Sequence, residues 1–214
     1  MKHKLLAVAQ AIVIALVILA GAIALPILCR FFFYLHIEPY GLTDAVGLTA
    51  QEVKTAYNEM MDFCIGLSGS FSAGVLPFSA EGAAHFADVR KLFILDLAVL
   101  AGAVLALIPL LVLGRKKALR LGGHTPGFWS SVGLGATFLV VGGLAALDFE
   151  KAFVIFHQLF FPGKDNWIFD YRTDPIIAML PEEFFRNCAI LILAGILIGC
   201  GTLIYRDIYL RRKK

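Results

Sequence analysis

The chain has 214 residues, of which 59% are hydrophobic, and its mean hydropathy is +0.81. Such a composition excludes a soluble globular domain of this size, because its surface would be too apolar to remain in water. The net charge of +3 gives no reason to expect nucleic-acid binding, because the basic excess lies in short segments beside apolar runs, where it signals membrane orientation.

Four apolar runs are long enough to cross a bilayer, which requires about 20 mostly apolar residues in a helix. The first run follows Lys2 and Lys4, but it is longer than the apolar part of a typical signal peptide. Leu28 before Cys29 also disfavours cleavage and lipidation of the chain itself. We therefore predict an all-α membrane protein that forms a single domain over residues 1–214. Its four predicted transmembrane helices cover residues 5–28, 92–113, 128–147 and 188–205.

Basic residues are distributed unequally among the segments outside these spans. Residues 1–4, the loop 114–127 and the tail from Arg206 hold 11 of the 19 basic residues and a single acidic residue. An excess of lysine and arginine marks the cytoplasmic side of a membrane protein. We therefore expect both termini in the cytoplasm and the two longer segments, 31–90 and 148–187, on the extracellular face of the cell membrane.

The two predicted outer segments are rich in aromatic residues and contain 20 of the 26 in the chain. An interfacial belt of aromatic side chains is common in membrane proteins, but the number found here is too large for a belt alone. We predict that the two segments form an aromatic-rich extracellular cap on the membrane. A pocket for an acyl chain is the alternative interpretation.

Short sequence signals predict where helices begin within the outer segments. Thr49 and Glu52 form a capping box, which predicts an amphipathic helix that continues to about Ile65. Ser79 is a predicted N-cap for a helix that continues into the second span. Asp174 is followed by proline and is predicted to cap a short helix of its own.

Two histidines are predicted to lie at the same depth on the outer side. His85 precedes the second span, which begins at Leu92, by about two helical turns. His157 lies on a predicted helix, 150–161, at a similar distance beyond the end of the third span at Leu147. The two rings could therefore face each other. Imidazole titrates near neutral pH, so such a pair could divide the base and acid roles of a reaction. A hydrogen-bonded structural role is the alternative for each histidine.

Other chemistries receive less support from the sequence. The histidine pair could bind a metal together with Asp88, Asp148 or a glutamate, but no H-E-x-x-H or similar spacing is present. A G-x-S-x-G motif is absent, so a serine nucleophile is not indicated. We predict no cofactor and no metal. Asp96 is costly within a span and is predicted to pair with Arg90 or Lys91.

The second outer segment carries a specific resemblance to a known family. Residues 156–170 read F-H-Q-L-F-F-P-G-K-D-N-W-I-F-D, and H-F-A-D-V stands at 85–89. These residues closely resemble the bacterial lipoprotein intramolecular transacylases, a family of four-span membrane proteins. The resemblance covers essentially the whole chain. One departure is Pro175, where an apolar residue such as leucine would be expected after the aspartate.

The resemblance implies a reaction on diacylglyceryl lipoproteins in the bacterial cell membrane. The acyl chain of the sn-2 ester moves to the α-amino group of the same N-terminal cysteine, which gives a lyso-form lipoprotein. By the same resemblance, His85 and His157 match the catalytic histidines, with the base and acid roles open in either order. The candidates for an aromatic wall that folds the substrate are Phe156, Phe160, Trp167, Phe169 and Tyr171.

Two other functions stay open at the level of the sequence. A non-enzymatic four-span assembly subunit would tolerate replacement of both histidines. A metal-dependent membrane hydrolase would be inhibited by chelators and would release free fatty acid. A unimolecular reaction needs one site, so the expected state is a monomer that contacts its lipoprotein substrate and membrane lipid.

Overall fold

The computed structural model describes the backbone of residues 2–117 and 119–213, and side chains within residues 3–114 and 119–213. This part of the chain is helical and contains no β-strand. Eight α-helices and one 3-10 helix follow one another in the described residues. In chain order, they are α1 (Lys2–Leu28), α2 (Arg30–Tyr34), α3 (Leu42–Val46), α4 (Ala50–Cys64), α5 (Ala80–Lys117), α6 (Pro126–Leu147), α7 (Phe149–Phe160), the 3-10 helix (Pro175–Met179) and α8 (Glu182–Arg212).

Four of these helices are long and apolar enough to cross a membrane. They are His3–Leu28, Ala80–Gly114, Pro126–Leu147 and Glu182–Arg212. This confirms the predicted all-α membrane fold with four long helices. Each helix includes one predicted span, α5 begins well before its span, and α8 continues beyond its span at both ends. The membrane limits of the individual spans stay predictions.

The chain divides into two compact units. The first, called here the four-helix unit, consists of Met1–Leu25, Asp96–Ala146 and Ile190–Lys214. The second, called the aromatic unit, consists of Pro26–Leu95 and Leu147–Ala189.

Small residues let the helices of the four-helix unit approach closely. Ile196 and Cys200 of α8 are buried with Ala22 of α1 in one apolar cluster. A Cβ atom added to Gly199 would lie 3.3 Å from Ile18, and one added to Gly142 would lie 2.7 Å from a terminal methyl carbon of Leu193. Close packing through small residues is the usual basis of helix association in lipid, where the hydrophobic effect between helices is lost.

One end of the four-helix unit is organised by a buried carboxylate. Asp207 on α8 is 1% exposed and accepts hydrogen bonds from the backbone N–H of Thr125 (2.8 Å) and from Nδ1 of His124 (2.7 Å). Arg211 contacts Nε2 of the same histidine at 2.6 Å. The His124 ring is therefore held between the side chains of Asp207 and Arg211.

The predicted partners of Asp96 are also different in the structure. Arg90 donates to the backbone carbonyl of Ser68 at 2.6 Å, and Lys91 forms an ion pair with Asp88 at 2.9 Å. Asp96 Oδ2 is buried and has no hydrogen-bond partner among the residues that the structure describes. The predicted pairing of Asp96 with Arg90 or Lys91 is therefore wrong.

Helix α4 supplies much of the apolar core of the aromatic unit. Its predicted capping box is confirmed, because Thr49 accepts from the Glu52 backbone while Glu52 accepts from that of Thr49. The predicted apolar face is buried, and the ring of Tyr57 stacks on Phe33 with centroids 3.7 Å apart. Gly74 packs against the backbone of Ala56 with a φ of 62°, so only glycine fits there without strain.

Candidate active site

His85 lies on the second turn of α5, and its ring is buried among aromatic side chains. Only 5% of the residue is exposed. Ring centroids of Phe161 and Phe169 lie 5.0 Å and 5.5 Å from that of His85, both edge-on. Nδ1 of His85 is buried and has no hydrogen-bond partner in the described part of the chain. An unpartnered buried nitrogen is costly in a folded protein and therefore marks a candidate contact for substrate.

His157 lies near the end of α7 and is 6% exposed. Its Nδ1 is 2.8 Å from the backbone carbonyl oxygen of Phe153, one turn earlier in the helix. A carbonyl oxygen only accepts hydrogen bonds, so this contact places the ring hydrogen on Nδ1 and leaves a lone pair on Nε2 of the neutral ring. The Trp167 indole stacks on the ring, with centroids 4.5 Å apart and the planes 28° apart.

The two histidines lie side by side, as their equal distances from the predicted spans indicate. Their ring centroids are 5.8 Å apart and their planes differ by 30°. Phe161 contacts both rings, at 5.0 Å from His85 and 5.6 Å from His157. Apolar surroundings disfavour a charged imidazole, and burial lowers the pKa of His157, although the hydrogen bond to Phe153 acts in the opposite direction.

The structure places the five predicted wall residues at different distances from the histidines. Trp167 stacks on His157, and Phe169 packs against His85. The rings of Phe156 and Phe160 pack against each other with centroids 4.7 Å apart and planes tilted by 40°, and both residues are nearly half exposed. Tyr171 is 67% exposed. It therefore differs from the other four residues, whose rings contact one another or the histidines.

Two aromatic residues of the site did not appear among the predicted wall residues. Phe153 packs on His157 with centroids 4.2 Å apart, and Phe161 contacts both histidines. Each lies four residues from His157, and residues at that spacing share one face of a helix. The helical spacing alone could therefore have identified both of them.

The first turn of α5 holds His85 in place. The predicted N-cap is confirmed, because the Ser79 hydroxyl accepts from the Gly82 backbone N–H at 2.9 Å. Asp174 stands at the predicted N-cap position of the 3-10 helix, with Pro175 at its first position, but its side chain makes no capping hydrogen bond there. Its buried carboxylate instead accepts from the Ser79 backbone N–H at 2.8 Å and from the Thr173 hydroxyl at 2.7 Å. A carboxylate at a helix N-terminus is also favoured by the helix dipole.

The end of α7 brings a lysine to the helix of His85. Pro162 and Gly163 follow the helix, and Gly163 has a φ of 72° that favours glycine. The ammonium group of Lys164 forms an ion pair with Asp88, three residues after His85. The same carboxylate accepts from Lys91 at 2.9 Å.

The donor groups near the histidines do not form a metal site. Among the described residues, no group of three or more histidine, cysteine, aspartate or glutamate side chains could hold an ion. Asp88, one of the predicted ligands, is engaged by two ammonium groups.

The fold and the site together define a membrane-integral helical protein with two buried, adjacent imidazoles in an aromatic enclosure. A family model described as "Lipoprotein intramolecular transacylase Lit" matches residues 8–185. The chain belongs to the lipoprotein intramolecular transacylase family. No curated protein matches the chain.

Solved structures of one relative agree with this assignment. The chain is similar to the membrane integral lipoprotein intramolecular transacylase Lit from Bacillus cereus, with 28% identity, a TM-score of 0.89, and coverage of 100% of this chain and 99% of the other. Structures of that protein with the mutations H85R and H85A match with 27% identity and a TM-score of 0.83. They cover 99% and 100% of this chain, and 93% and 96% of the respective variants.

The predicted function is thereby confirmed. The protein is an acyltransferase that moves the sn-2 acyl chain of a diacylglyceryl lipoprotein to the α-amino group of its N-terminal cysteine. This membership favours the transacylase over the assembly subunit and the metal-dependent hydrolase.

Proposed function

We propose that His157 is the general base of the transacylation and that His85 polarises the ester. The α-amino group of the substrate cysteine attacks the sn-2 ester carbonyl, so an N–C bond forms and the C–O bond to the glyceryl group breaks. Donor and acceptor belong to one molecule, and the main task of the enzyme is to bring them together.

The observation that carries the base assignment is the hydrogen bond between His157 Nδ1 and the Phe153 carbonyl oxygen. It orients the ring and leaves the Nε2 lone pair available for a proton. The lowered pKa of His157 keeps the ring neutral at neutral pH. A free α-amino group has a pKa of about 8, so part of it is neutral near pH 7 and can attack the ester while His157 accepts its proton.

His85 has the complementary role. Its neutral ring donates a hydrogen bond to the ester oxygen on which negative charge develops, a form of stabilisation that is strongest in an enclosure without water. The proton that His157 takes from the amine is returned to the glyceryl oxygen as that oxygen leaves. Both histidines then regain their starting forms, and no covalent enzyme intermediate is needed.

The relative supplies independent support for His85. The Bacillus cereus structures include two variants of a histidine with the number 85 in that protein. That protein and this chain match almost end to end, with coverage of 99% and 100%. The agreement in number favours the same histidine in both.

The aromatic residues have two roles around this pair. Trp167 and Phe169 contact the histidines and exclude water, which would otherwise hydrolyse the ester. Phe156 and Phe160, which are nearly half exposed, offer an apolar surface to the acyl chains. Tyr171 has the most exposed ring of the five and contacts the more polar part of the substrate.

The setting of the reaction follows from the distribution of charge. The excess of basic residues in three short segments supports a bacterial cell-membrane protein with both termini on the cytoplasmic side and the active site on the extracellular face. The substrate is then a diacylated lipoprotein held in the outer leaflet beside the aromatic unit. The enzyme acts as a monomer, because one chain supplies both histidines and the reaction uses a single substrate molecule.

Tandem mass spectrometry of a diacylated lipopeptide incubated with the protein tests the proposal. Transacylation leaves the mass unchanged and moves one acyl group to nitrogen, so fragmentation distinguishes product from substrate. We expect the N-acyl product with the natural chain and its loss in the His85→Ala and His157→Ala variants.

His36 offers a matched control on the same unit. Its Nδ1 lies 2.7 Å from the Phe32 carbonyl oxygen, and its Nε2 lies 3.0 Å from the Asn187 amide, so neither nitrogen is open. The His36→Ala variant should retain the activity. Full activity in His157→Ala would refute the base assignment, and free fatty acid as the main product of the natural chain would identify a hydrolase.

A further inference from the structure

We infer that Lys164 is a positioning residue for the transacylation. Its ion pair with Asp88 holds Trp167 against His157 and sets the distance between the rings of His85 and His157. The inference rests on the proposed roles of His85 and His157. It concerns residues that touch neither histidine directly and that act through their neighbours.

The first observation is that the ion pair joins the two elements that carry the histidines. Asp88 lies one turn after His85 on α5 and is 8% exposed. Lys164 lies in the turn that ends α7, seven residues after His157. Their contact spans 76 residues of sequence and connects one histidine-bearing element to the other.

The second observation is that the other end of Lys164 holds the tryptophan that stacks on His157. The Lys164 backbone carbonyl accepts from Nε1 of Trp167 at 3.1 Å. The Trp167 ring then lies against the His157 ring, with centroids 4.5 Å apart. Lys164 therefore contacts the helix of His85 through its ammonium group, and it contacts Trp167, which stacks on His157, through its backbone carbonyl.

The third observation concerns the backbone of the same turn. The Lys164 N–H donates to the Phe161 carbonyl at 3.1 Å, and the Phe161 N–H donates to the His157 carbonyl at 2.8 Å. The Phe161 ring contacts both histidines. Movement of Lys164 would therefore displace Phe161 and Trp167 together.

Lys91 provides the matched control. It is also a lysine, it also donates to Asp88, and its side chain is 75% exposed. It lies on α5 itself, so its bond to Asp88 is local and joins no second element. If the charge of Asp88 alone mattered, removal of either lysine would have the same effect. If the connection between the elements matters, only removal of Lys164 should change the reaction.

The test compares Lys164→Met, Lys164→Arg and Lys91→Met in the full chain. We expect Lys164→Met to lower kcat by about tenfold with little change in KM, because displacement of a catalytic group by about 1 Å costs up to about 100-fold. The fraction of acyl groups released as free fatty acid should rise, because the loosened Trp167 wall admits water. Lys164→Arg should restore most of kcat, and Lys91→Met should behave as the natural chain.

A second readout does not depend on activity. In a Trp129→Phe background, Trp167 is the remaining tryptophan, and its quenching by acrylamide reports how well it is covered. Quenching should increase in Lys164→Met and stay unchanged in Lys91→Met. This measurement distinguishes failure of the positioning pair from failure of the histidine assignment, which would leave the quenching difference intact.

The Asp88→Asn variant allows a double-mutant cycle with Lys164→Met. If the two residues act as a unit, Asp88→Asn combined with Lys164→Met should be no slower than the slower single variant. Three results would overturn the inference. These are a natural kcat in Lys164→Met, an equal loss in Lys91→Met, or a loss of kcat in Lys164→Met with unchanged Trp167 quenching.

Discussion

His157 in the aromatic unit and His124 in the four-helix unit are both partly or wholly shielded from solvent, but their ring nitrogens have different surroundings. Nδ1 of His124 contacts Asp207, and Nε2 contacts Arg211, so both positions are occupied by charged groups. His157 bonds through Nδ1 to a backbone carbonyl, and its neighbours are aromatic rings.

The difference shows what distinguishes a structural histidine from a candidate base. Charged partners fix both nitrogens of His124, so the ring contributes to folding and has no atom left for substrate. In the aromatic unit, one nitrogen of His157 is oriented and the other is available, while the neighbouring His85 has a buried Nδ1 with no hydrogen-bond partner among the described residues. Unused ring atoms, and not the presence of histidine, therefore mark the site.

The largest expected effect is on the rate of transacylation, which should depend on His157 and not on His124. We expect His157→Gln to lower the rate of N-acyl formation by about 100- to 10,000-fold, because general base catalysis contributes that much. His124→Gln should keep the rate within about threefold of the natural chain. Tandem mass spectrometry of the lipopeptide product measures both, and equal losses in the two variants would remove the distinction.

The second effect is on stability, which should depend on the Asp207 contacts of the four-helix unit while the reaction in the aromatic unit does not. Asp207→Ala removes the partner of His124 and leaves the Thr125 N–H without its acceptor. Breaking a buried ion pair costs about 3–5 kcal/mol, so Tm should fall by about 10 °C for a chain of this size. The transacylation rate at low temperature should be unchanged. A thermal unfolding scan in detergent, with the activity assay beside it, checks the prediction, and a rate loss with an unchanged Tm would contradict it.

The third effect concerns the frame of the aromatic site. In Gly82→Ala, the new Cβ would lie 2.1 Å from Asp174 Oδ1 and 3.2 Å from the Phe169 ring. Asp174 must move away from the N-terminus of α5, and Phe169 must shift from its place beside His85. We expect the rate to fall about tenfold, by the same positional sensitivity that governs bound reactants.

Gly102→Ala is the control for this variant. Gly102 lies on the same helix with no atom within 4 Å of an added Cβ. Both substitutions raise the helix propensity of α5 by about 1 kcal/mol, so a difference in rate between them reports the contact with Asp174. Equal rates in the two variants would show that this contact does not position His85.

Sequence reasoning predicted the parts of the site that depend on local signals. The hydroxyl of Ser79 caps α5 as its position before the helix indicates, and counting residues from the spans placed His85 and His157 together. The contacts that sequence reasoning missed are those between distant segments. The carboxylate of Asp174 bonds Ser79 across 95 residues, and Asp88 pairs with Lys164 across 76. An aspartate before proline has a local signal for a cap, but no local signal shows that another helix competes for its carboxylate.

The smallest effect is on the shape of the pH profile. Only the neutral amine attacks, so log kcat/KM should rise with pH with a slope of one below about pH 8, the usual pKa of an α-amino group. Protonation of His157 adds a second unit of slope at lower pH. Because burial lowers the pKa of His157 from its ordinary value of 6.5, the change of slope should lie below pH 6.5.

The free energy of unfolding should also decrease as the pH falls. The unfolded chain binds a proton on this histidine at a higher pH than the folded chain does, so the contribution of neutral His157 to stability is complete above pH 6.5 and is lost as the pH falls. His124 lies in the four-helix unit and does not belong to the aromatic site, so His124→Gln should leave the break in the activity profile in place. A break at or above pH 6.5, or one that moves in His124→Gln, would mean that the buried aromatic site does not set the protonation of the base.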